Sequence, residues 1–364
     1  MALHIIDEAN RCLNCKKPMC QQGCPVHTPI PHIIQMFKEN RLMEAGEELF
    51  QNNPMSVICS IVCNHEQQCE GHCVLGRKGN PVHFSSIENY ISDMYLDRMK
   101  QEPVKKKEQK AAVIGAGPAG MTVAIMLAQQ GYGVTIFEWK DKIGGIMQYG
   151  IPDFRLPKSI LDRYQIRFQE LDVKVRPNTT IGAILKIEEL LRDGYASVFI
   201  GTGNAAMDVT RTALRNGARQ MTMYARGTRV AASSHEVAYT KLDGAEFAFG
   251  YAIQSINEKG PVFKKSILDE EGKVIGTEDE LIQVEADSTI ISISQGPRRK
   301  LIRTTLGLEG GDNGLLIVDE NYMTTKEGVF AASDVISGSK TVVHAVDGAK
   351  KAAEAMIKYM EETK

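Results

Sequence analysis

Several things are missing from this sequence. No apolar run reaches the roughly 20 residues that a bilayer span needs, and the opening Met-Ala-Leu-His-Ile-Ile-Asp-Glu has neither the basic flank nor the apolar stretch of a secretory signal. The expected compartment is therefore the cytoplasm, with no membrane partner. Charge of one sign is also lacking: 43 basic against 45 acidic side chains leave a net −2. That supplies no global field for gripping nucleic acid. Internal repeats and low-complexity tracts are absent as well. Most telling, no cysteine occurs after position 73.

What is present is a chain of 364 residues, 43% apolar, long enough for two or three domains. All eight cysteines fall between Cys12 and Cys73. A reducing compartment disfavours structural disulfides, so thiols gathered this way read as metal ligands or redox groups. Cys12, Cys15, Cys20 and Cys24 are followed at once by Pro25; Cys59, Cys63, Cys69 and Cys73 form a second group. Four thiolates in so short a run, ending in Cys-Pro, suit iron–sulfur ligation, because close spacing lets the chain wrap a cubane and proline redirects it. Eight thiols match two 4Fe-4S clusters in number, and sequence order does not fix which thiol serves which. The competing reading is one or two zinc sites, to which His65 and His72 could contribute; only one cysteine pair has the short spacing of a zinc knuckle.

The rhythm changes after a charged linker at 105–110. Residues 111–114 form a short apolar strand, followed by a glycine turn, an amphipathic helix at 121–130 and a second strand at 134–137. Gly115-Ala-Gly-Pro-Ala-Gly120 is G-x-G-x-x-G set between strand and helix. Gly115 permits the tight turn, Gly117 lets backbone approach a pyrophosphate, and Gly120 allows helix and strand to pack closely. Pro118 and Ala119 open the helix whose N-terminus meets the phosphate charge. Glu138 ends the next strand, where its carboxylate can accept ribose hydroxyls. At the far end Gly328-Val-Phe-Ala-Ala-Ser-Asp334 places an aspartate just beyond a buried strand, where it can hold a ribityl hydroxyl. The helix opening at Val342 and Val343 can then direct its dipole at a flavin ring. FAD is the expected occupant.

A second strand, turn and helix follows. Residues 197–200 lead into Gly201-Thr-Gly-Asn-Ala-Ala, a G-x-G-x-x-A turn whose Gly201, Gly203, Asn204 and Ala205 read as a nicotinamide site. No acid ends the strand at 221–224, and Arg226 and Arg229 follow it. NADPH is therefore favoured over NADH, since a 2′-phosphate needs guanidinium donors. Alternating residues from 247 to 284, broken by Gly260-Pro261 and Glu271-Gly272, predict antiparallel hairpins.

Taken together, Arg11-Cys-Leu-Asn-Cys, Gly23-Cys-Pro-Val, Gln68-Cys-Glu-Gly-His-Cys, the first glycine turn, residues 144–157, Gly203-Asn-Ala-Ala-Met-Asp and residues 328–334 resemble a known family. It is that of the small subunit of NADPH-dependent glutamate synthase, with the flavin half of dihydropyrimidine dehydrogenase and the large subunit of the bifurcating ferredoxin:NADP oxidoreductase. The resemblance implies one cluster on Cys12, Cys15, Cys20 and Cys73. It implies a second on Cys24, Cys63, Cys69 and Glu88, with Cys59 a spare buried thiol. Gly145 and Arg155, within 144–157, would join the flavin site.

This chain departs from the family in three ways. Tyr224-Ala225-Arg226 replaces a tyrosine followed by two arginines, and Ser333 stands where glycine precedes the flavin aspartate. In place of several dozen residues between the flavin-domain strand and the strand opening the nicotinamide domain, one strand and one glycine motif at 197–208 stand for both. One strand cannot serve two sheets. The expectation is that 197–200 lies in the nicotinamide sheet and leaves the flavin sheet short.

The fold class expected is thus a multidomain α+β and α/β protein. A helical iron–sulfur domain spans 1–104, an FAD domain 111–195 and 287–364, and an NAD(P)H domain 196–286, one of the two Rossmann-like domains being truncated. The function expected is an oxidoreductase passing electrons from NADPH through FAD and two clusters to a large catalytic subunit or a ferredoxin-type acceptor. No side chain need act as acid or base. The alternative is a relay or assembly subunit without nicotinamide turnover.

Overall fold

The computed structural model describes residues 2–100, 104–201, 218, 220–228, 234–290, 300–338 and 340–363. It divides into two compact units, Met1–Asn204 with Gln295–Lys364, and Ala205–Ser294.

The first unit begins with helices α1 (Ala2–Asn10), α2 (Met19–Gln22), α3 (Ile30–Lys38), α4 (Leu42–Asn52), α5 (Ser56–Val62) and α6 (Phe84–Arg98). Apolar residues at helical spacing set their packing. Ile30, Ile33 and Ile34 line the buried side of α3, and Pro31 sits in its first turn, where no amide hydrogen is needed. On α4, Gly46 is required: a Cβ there would lie 2.4 Å from the Cβ of Tyr95 on α6. Ser56 and Ser92 join α5 to α6 through a 2.5 Å hydroxyl contact.

A five-stranded parallel sheet follows. Its strands are β1 (Lys110–Ile114), β2 (Gly133–Phe137), β3 (Lys174–Arg176), β4 (Tyr195–Ile200) and, much later, β11 (Val329–Ala331), in the order β11-β4-β1-β2-β3. Helices α7 (Pro118–Gln129), α8 (Ile146–Tyr149), α9 (Ser159–Glu170) and α10 (Ile187–Arg192) fall between the strands. A parallel sheet needs helices on its faces, and the buried runs of β1, β2 and β4 suit that position.

The placement of β4 overturns the expectation for residues 197–200. Val198, Phe199 and Ile200 pair with Ala112, Val113 and Ile114 on one side and with Val329, Phe330 and Ala331 on the other. The strand is an inner strand of the five-stranded sheet, between β11 and β1, so that sheet is not short. Residues 196–200 accordingly lie in the first compact unit.

The helical region does not stand apart from this sheet. One buried cluster runs from Ile33, Leu49, Ile58 and Ile87 through Val113, Val123 and Ile136 to Val346 and Met356. Helix α9 ties the two parts by polar contacts. The buried Tyr164 hydroxyl donates to the Pro54 carbonyl at 2.6 Å, Arg163 binds Asp93 at 2.6 Å and Asp97 at 2.8 Å, and Arg167 donates to the Met99 carbonyl at 3.1 Å.

The second unit carries β5 (Thr222–Ala225) paired in parallel with β6 (Glu246–Phe249), and helix α11 (Ser234–Leu242) between them. Strands β7 (Tyr251–Asn257), β8 (Gly260–Leu268), β9 (Val274–Thr277) and β10 (Ile282–Gln283) are antiparallel, as the alternation predicted. Tyr224 stacks on Phe263 with ring centroids 4.4 Å apart, fastening β5 to β8. Short helices α12 (Lys300–Thr304) and α13 (Asp334–Ser337) belong to the first unit, which ends in the long helix α14 (Val342–Glu362) packed on α7. Among the described residues no helix is long and apolar enough to cross a membrane.

Candidate iron–sulfur and flavin sites

Cys12, Cys15, Cys20 and Cys73 line one cavity, walled by Leu13, Ile30, Pro31, Ile34, Val82 and Phe84. Asn14, between the first two thiols, takes a left-handed conformation (φ 48°) that bends the chain around the cavity. Gly23 is held against the His72 ring, to which a Cβ would approach within 2.4 Å, so the two cysteine-bearing segments meet without a side chain between them. Burial pushes the Cys20 thiol up to about 11, with Cys73, Cys12 and Cys15 adding like-charge repulsion. Burial raises Cys12 as well, and Cys15 and Cys73 contribute. These four thiols lie within electrostatic reach of one another in a low-dielectric wall.

A second group gathers around Glu88, a buried carboxyl on α6. Burial drives Glu88 well above the usual carboxylate range, reinforced by Cys59 and Glu70. The field of Glu88 reaches Cys24, Cys63 and Cys69, and each of these thiols is raised: Cys24 and Cys69 chiefly by burial, Cys63 first by donating a hydrogen bond to Cys59. Cys59 is held below the ordinary thiol range by that bond. Cys69 also lines the first cavity, so it stands between the groups.

Buried thiols and a buried carboxyl are costly as anions unless a cation compensates them. A metal that takes the place of their protons does so. Among the described residues no three His, Cys, Asp or Glu side chains are grouped to hold a single metal ion.

The first glycine turn has the form the sequence predicts. Gly115 has φ 96°, and a Cβ there would stand 2.5 Å from the Gly201 carbonyl oxygen. At Gly120 a Cβ would fall 1.9 Å from the Gly115 oxygen. Above Gly117, by contrast, nothing lies within 4 Å of the Cβ position, which leaves backbone open at the N-terminus of α7. Pro118 and Ala119 begin that helix. Buried Glu138 accepts from the Ala116 amide at 2.6 Å and the Lys140 amide at 2.9 Å, fixing its carboxylate beside the turn. Gly145 (φ 52°) packs onto Gly117, and Gly144 donates to the Ala116 carbonyl at 2.7 Å. Arg155 lies in the turn after α8, its amide on the Pro152 carbonyl.

Beyond β11, Asp334 opens α13, accepting from Ser333 Oγ and the Lys340 amide at 3.2 Å each. Burial raises its carboxyl above the ordinary value. Val342 and Val343 are buried in the first turn of α14.

Of the residues read as a nicotinamide site, Gly201 and Arg226 are among those the structure describes. Gly201 follows β4, donates to the Ile114 carbonyl at 3.1 Å and faces Gly115 of the first glycine turn. Gly203, Asn204, Ala205 and Arg229 lie outside the described residues. Arg226 is exposed just after β5 in the second unit. Sequence reasoning passed over Glu70, which accepts from the Ser85 amide at 2.9 Å and meets His83 Nδ1 at 3.3 Å. Its place between Cys69 and Cys73 was the available signal.

Residues 2–100 match the dihydropyrimidine dehydrogenase domain II, 4Fe-4S cluster family; 113–159 match the NAD(P)-binding Rossmann-like domain, and 186–349 the pyridine nucleotide-disulphide oxidoreductase family. The glutamate synthase (NADPH) small chain of Halomonas elongata is 28% identical over 97% of this chain and 90% of its own length. The NAD-dependent dihydropyrimidine dehydrogenase subunit PreT of Escherichia coli is 29% identical over 99% and 95%. The chain is a homologue of these oxidoreductases. The alignment with the Halomonas homologue runs over 429 positions, more than the chain has residues, so that homologue carries segments with no counterpart here. Among solved structures, Mycobacterium tuberculosis FprA superposes with a TM-score of 0.59 at 14% identity, over 71% of this chain and 86% of its own. Thermoplasma acidophilum thioredoxin reductase superposes with 0.52 at 17% identity, over 70% and 99%. Both report the fold alone.

Proposed function

We propose that this protein passes electrons from a reduced nicotinamide, NADPH before NADH, through FAD and two 4Fe-4S clusters to a partner. That partner is a large catalytic subunit or a ferredoxin-type acceptor. Cys12, Cys15, Cys20 and Cys73 hold one cluster; Cys24, Cys63, Cys69 and Glu88 hold the other. Glu88 is preferred to Cys59 because its field reaches three thiols, whereas Cys59 is engaged by Cys63 alone among them.

The single observation that carries this reading is that both ligand groups share one compact, continuously packed unit with the glycine turn. FAD, when bound, would supply the conversion between two-electron nicotinamide and one-electron carriers. The chain's own residues then bind and orient. The α7 N-terminus and Gly117 receive a pyrophosphate, Glu138 accepts ribose hydroxyls, Gly145 and Arg155 close over the turn, and Asp334 with the start of α14 fixes the ring end.

A second reading, a relay without nicotinamide turnover, is favoured by β4. Its strand serves the flavin sheet, and among the described residues the second unit's parallel sheet consists of β5 and β6. Anaerobic visible spectroscopy tests both. Bleaching of flavin and cluster absorption by NADPH supports the first; bleaching by dithionite alone supports the second; protein free of iron and acid-labile sulfide overturns both.

A further inference from the structure

A hydrogen-bonded chain leads from the closing helix to the second ligand group. Lys350, partly buried on α14, donates from Nζ to the Asn52 carbonyl at 2.6 Å and to Asn52 Oδ1 at 2.9 Å. Asn52 Nδ2 donates to Thr28 Oγ1 at 3.1 Å, and Thr28 Oγ1 meets Cys24 Sγ at 3.4 Å within a buried contact. The Lys350 hydrogen bonds go to two neutral oxygens of Asn52, while the carboxylates of Glu354 and of Asp347, the latter engaged by Lys351 at 2.7 Å, lie within its electrostatic reach.

The arrangement has the features of an electrostatic device. A cation fixed in a partly desolvated position acts over a longer range than one in water. Thr28 stands in hydrogen-bond contact with a thiol sulfur, and such contacts tune cluster potential. Val342 lies eight residues before Lys350 on the same helix, about 12 Å at the helical rise. One rigid element therefore joins the start of α14 at the proposed flavin end to the support of Cys24.

Resting on the cluster reading above, we infer that Lys350 is a positioning residue for the second group. Through Asn52 and Thr28 it holds Cys24 in place, and its positive charge favours the reduced state of the cluster held there. The step concerned is addition of one electron, supplied by a mediated electrode, with no bond formed or broken.

The experiment is potentiometric titration of the anaerobically purified holoprotein, followed by electron paramagnetic resonance, for wild type, Lys350→Met, Lys350→Arg and Thr28→Val. In Lys350→Met one of the two iron–sulfur couples is expected to move down. Its reduced-to-oxidised ratio at the wild-type midpoint falls about tenfold, equivalent to about 59 mV for one electron, while the other couple stays in place. Lys350→Arg restores most of the shift because it keeps the charge. Thr28→Val moves the same couple in the same direction and keeps the test available should Lys350→Met fail to accumulate. Unchanged couples in Lys350→Met, equal movement of both couples, or Lys350→Arg behaving like Lys350→Met would overturn the inference. Wild-type protein without two iron–sulfur couples would instead overturn the cluster reading itself.

Discussion

Ser333 is expected to carry backbone strain that glycine would relieve and alanine would not. Its backbone sits at φ 68° and ψ −144°, in a region that essentially only glycine occupies and that costs other residues about 1–3 kcal/mol. The Ser333 hydroxyl recovers part of this by donating to Asp334 at 3.2 Å, roughly 1 kcal/mol for a bond of this type. Comparing Ser333→Gly with Ser333→Ala removes that bond from both sides and isolates the backbone. Glycine relieves about 1–3 kcal/mol but adds about 0.5–1 kcal/mol of unfolded-state freedom. The glycine variant should thus exceed the alanine variant by about 1 kcal/mol, or roughly 1–2 °C in Tm for a unit of this size. Differential scanning calorimetry of the apoprotein at one pH and one salt concentration measures the difference. An alanine variant equal to or more stable than the glycine variant would refute the strain argument.

Other expectations follow from the same geometry. Gly120→Ala places a Cβ 1.9 Å from the Gly115 carbonyl oxygen; it should abolish flavin retention on gel filtration and lower Tm, and normal flavin content would count against the turn as the flavin cradle. Tyr164→Phe leaves the Pro54 carbonyl without its 2.6 Å donor and should cost about 1–3 kcal/mol, read by urea denaturation with secondary structure unchanged. Cys59→Ala should leave iron content at the wild-type value, whereas Glu88→Ala should lose iron from one cluster; the reverse result would exchange their roles. For Asp334, burial raises the native carboxyl above its ordinary 3.8, so the native state binds the proton more tightly than the unfolded chain. That contribution is full below the ordinary value and is lost as pH rises through the shifted one. Asp334→Asn should remove this fall from the apoprotein's stability–pH curve.

The first glycine turn was legible because every part of it is local: the apolar strand, three glycines, the helix and Glu138 fall in one short stretch. The hairpins of the second unit were legible for the same reason, through their alternation. The position of β4 was not. Val-Phe-Ile-Gly reads equally well as the centre of either parallel sheet, and only its pairing with β1 and with β11, more than a hundred residues away, decides the matter. The cysteines announced metal chemistry by composition, but their grouping depends on α5 and α6 meeting, and Glu88 looks on sequence like any helix-surface acid. Lys350, Asn52 and Thr28 carry no motif, since their relation exists only once the last helix has folded back on the first hundred residues.

The continuous packing between the cysteine-bearing helices and the parallel sheet has one more consequence. Among the described residues, Tyr164, Arg163 and Arg167 fasten the two parts at several points, which opposes a swing of the amino-terminal hundred residues. Any charge passed between the two would cross a gap frozen at folding, so added glycerol should leave that internal rate unchanged while slowing delivery to a partner that must diffuse. Deleting the first hundred residues would not free a working flavoprotein; it would strip one wall from a shared interior.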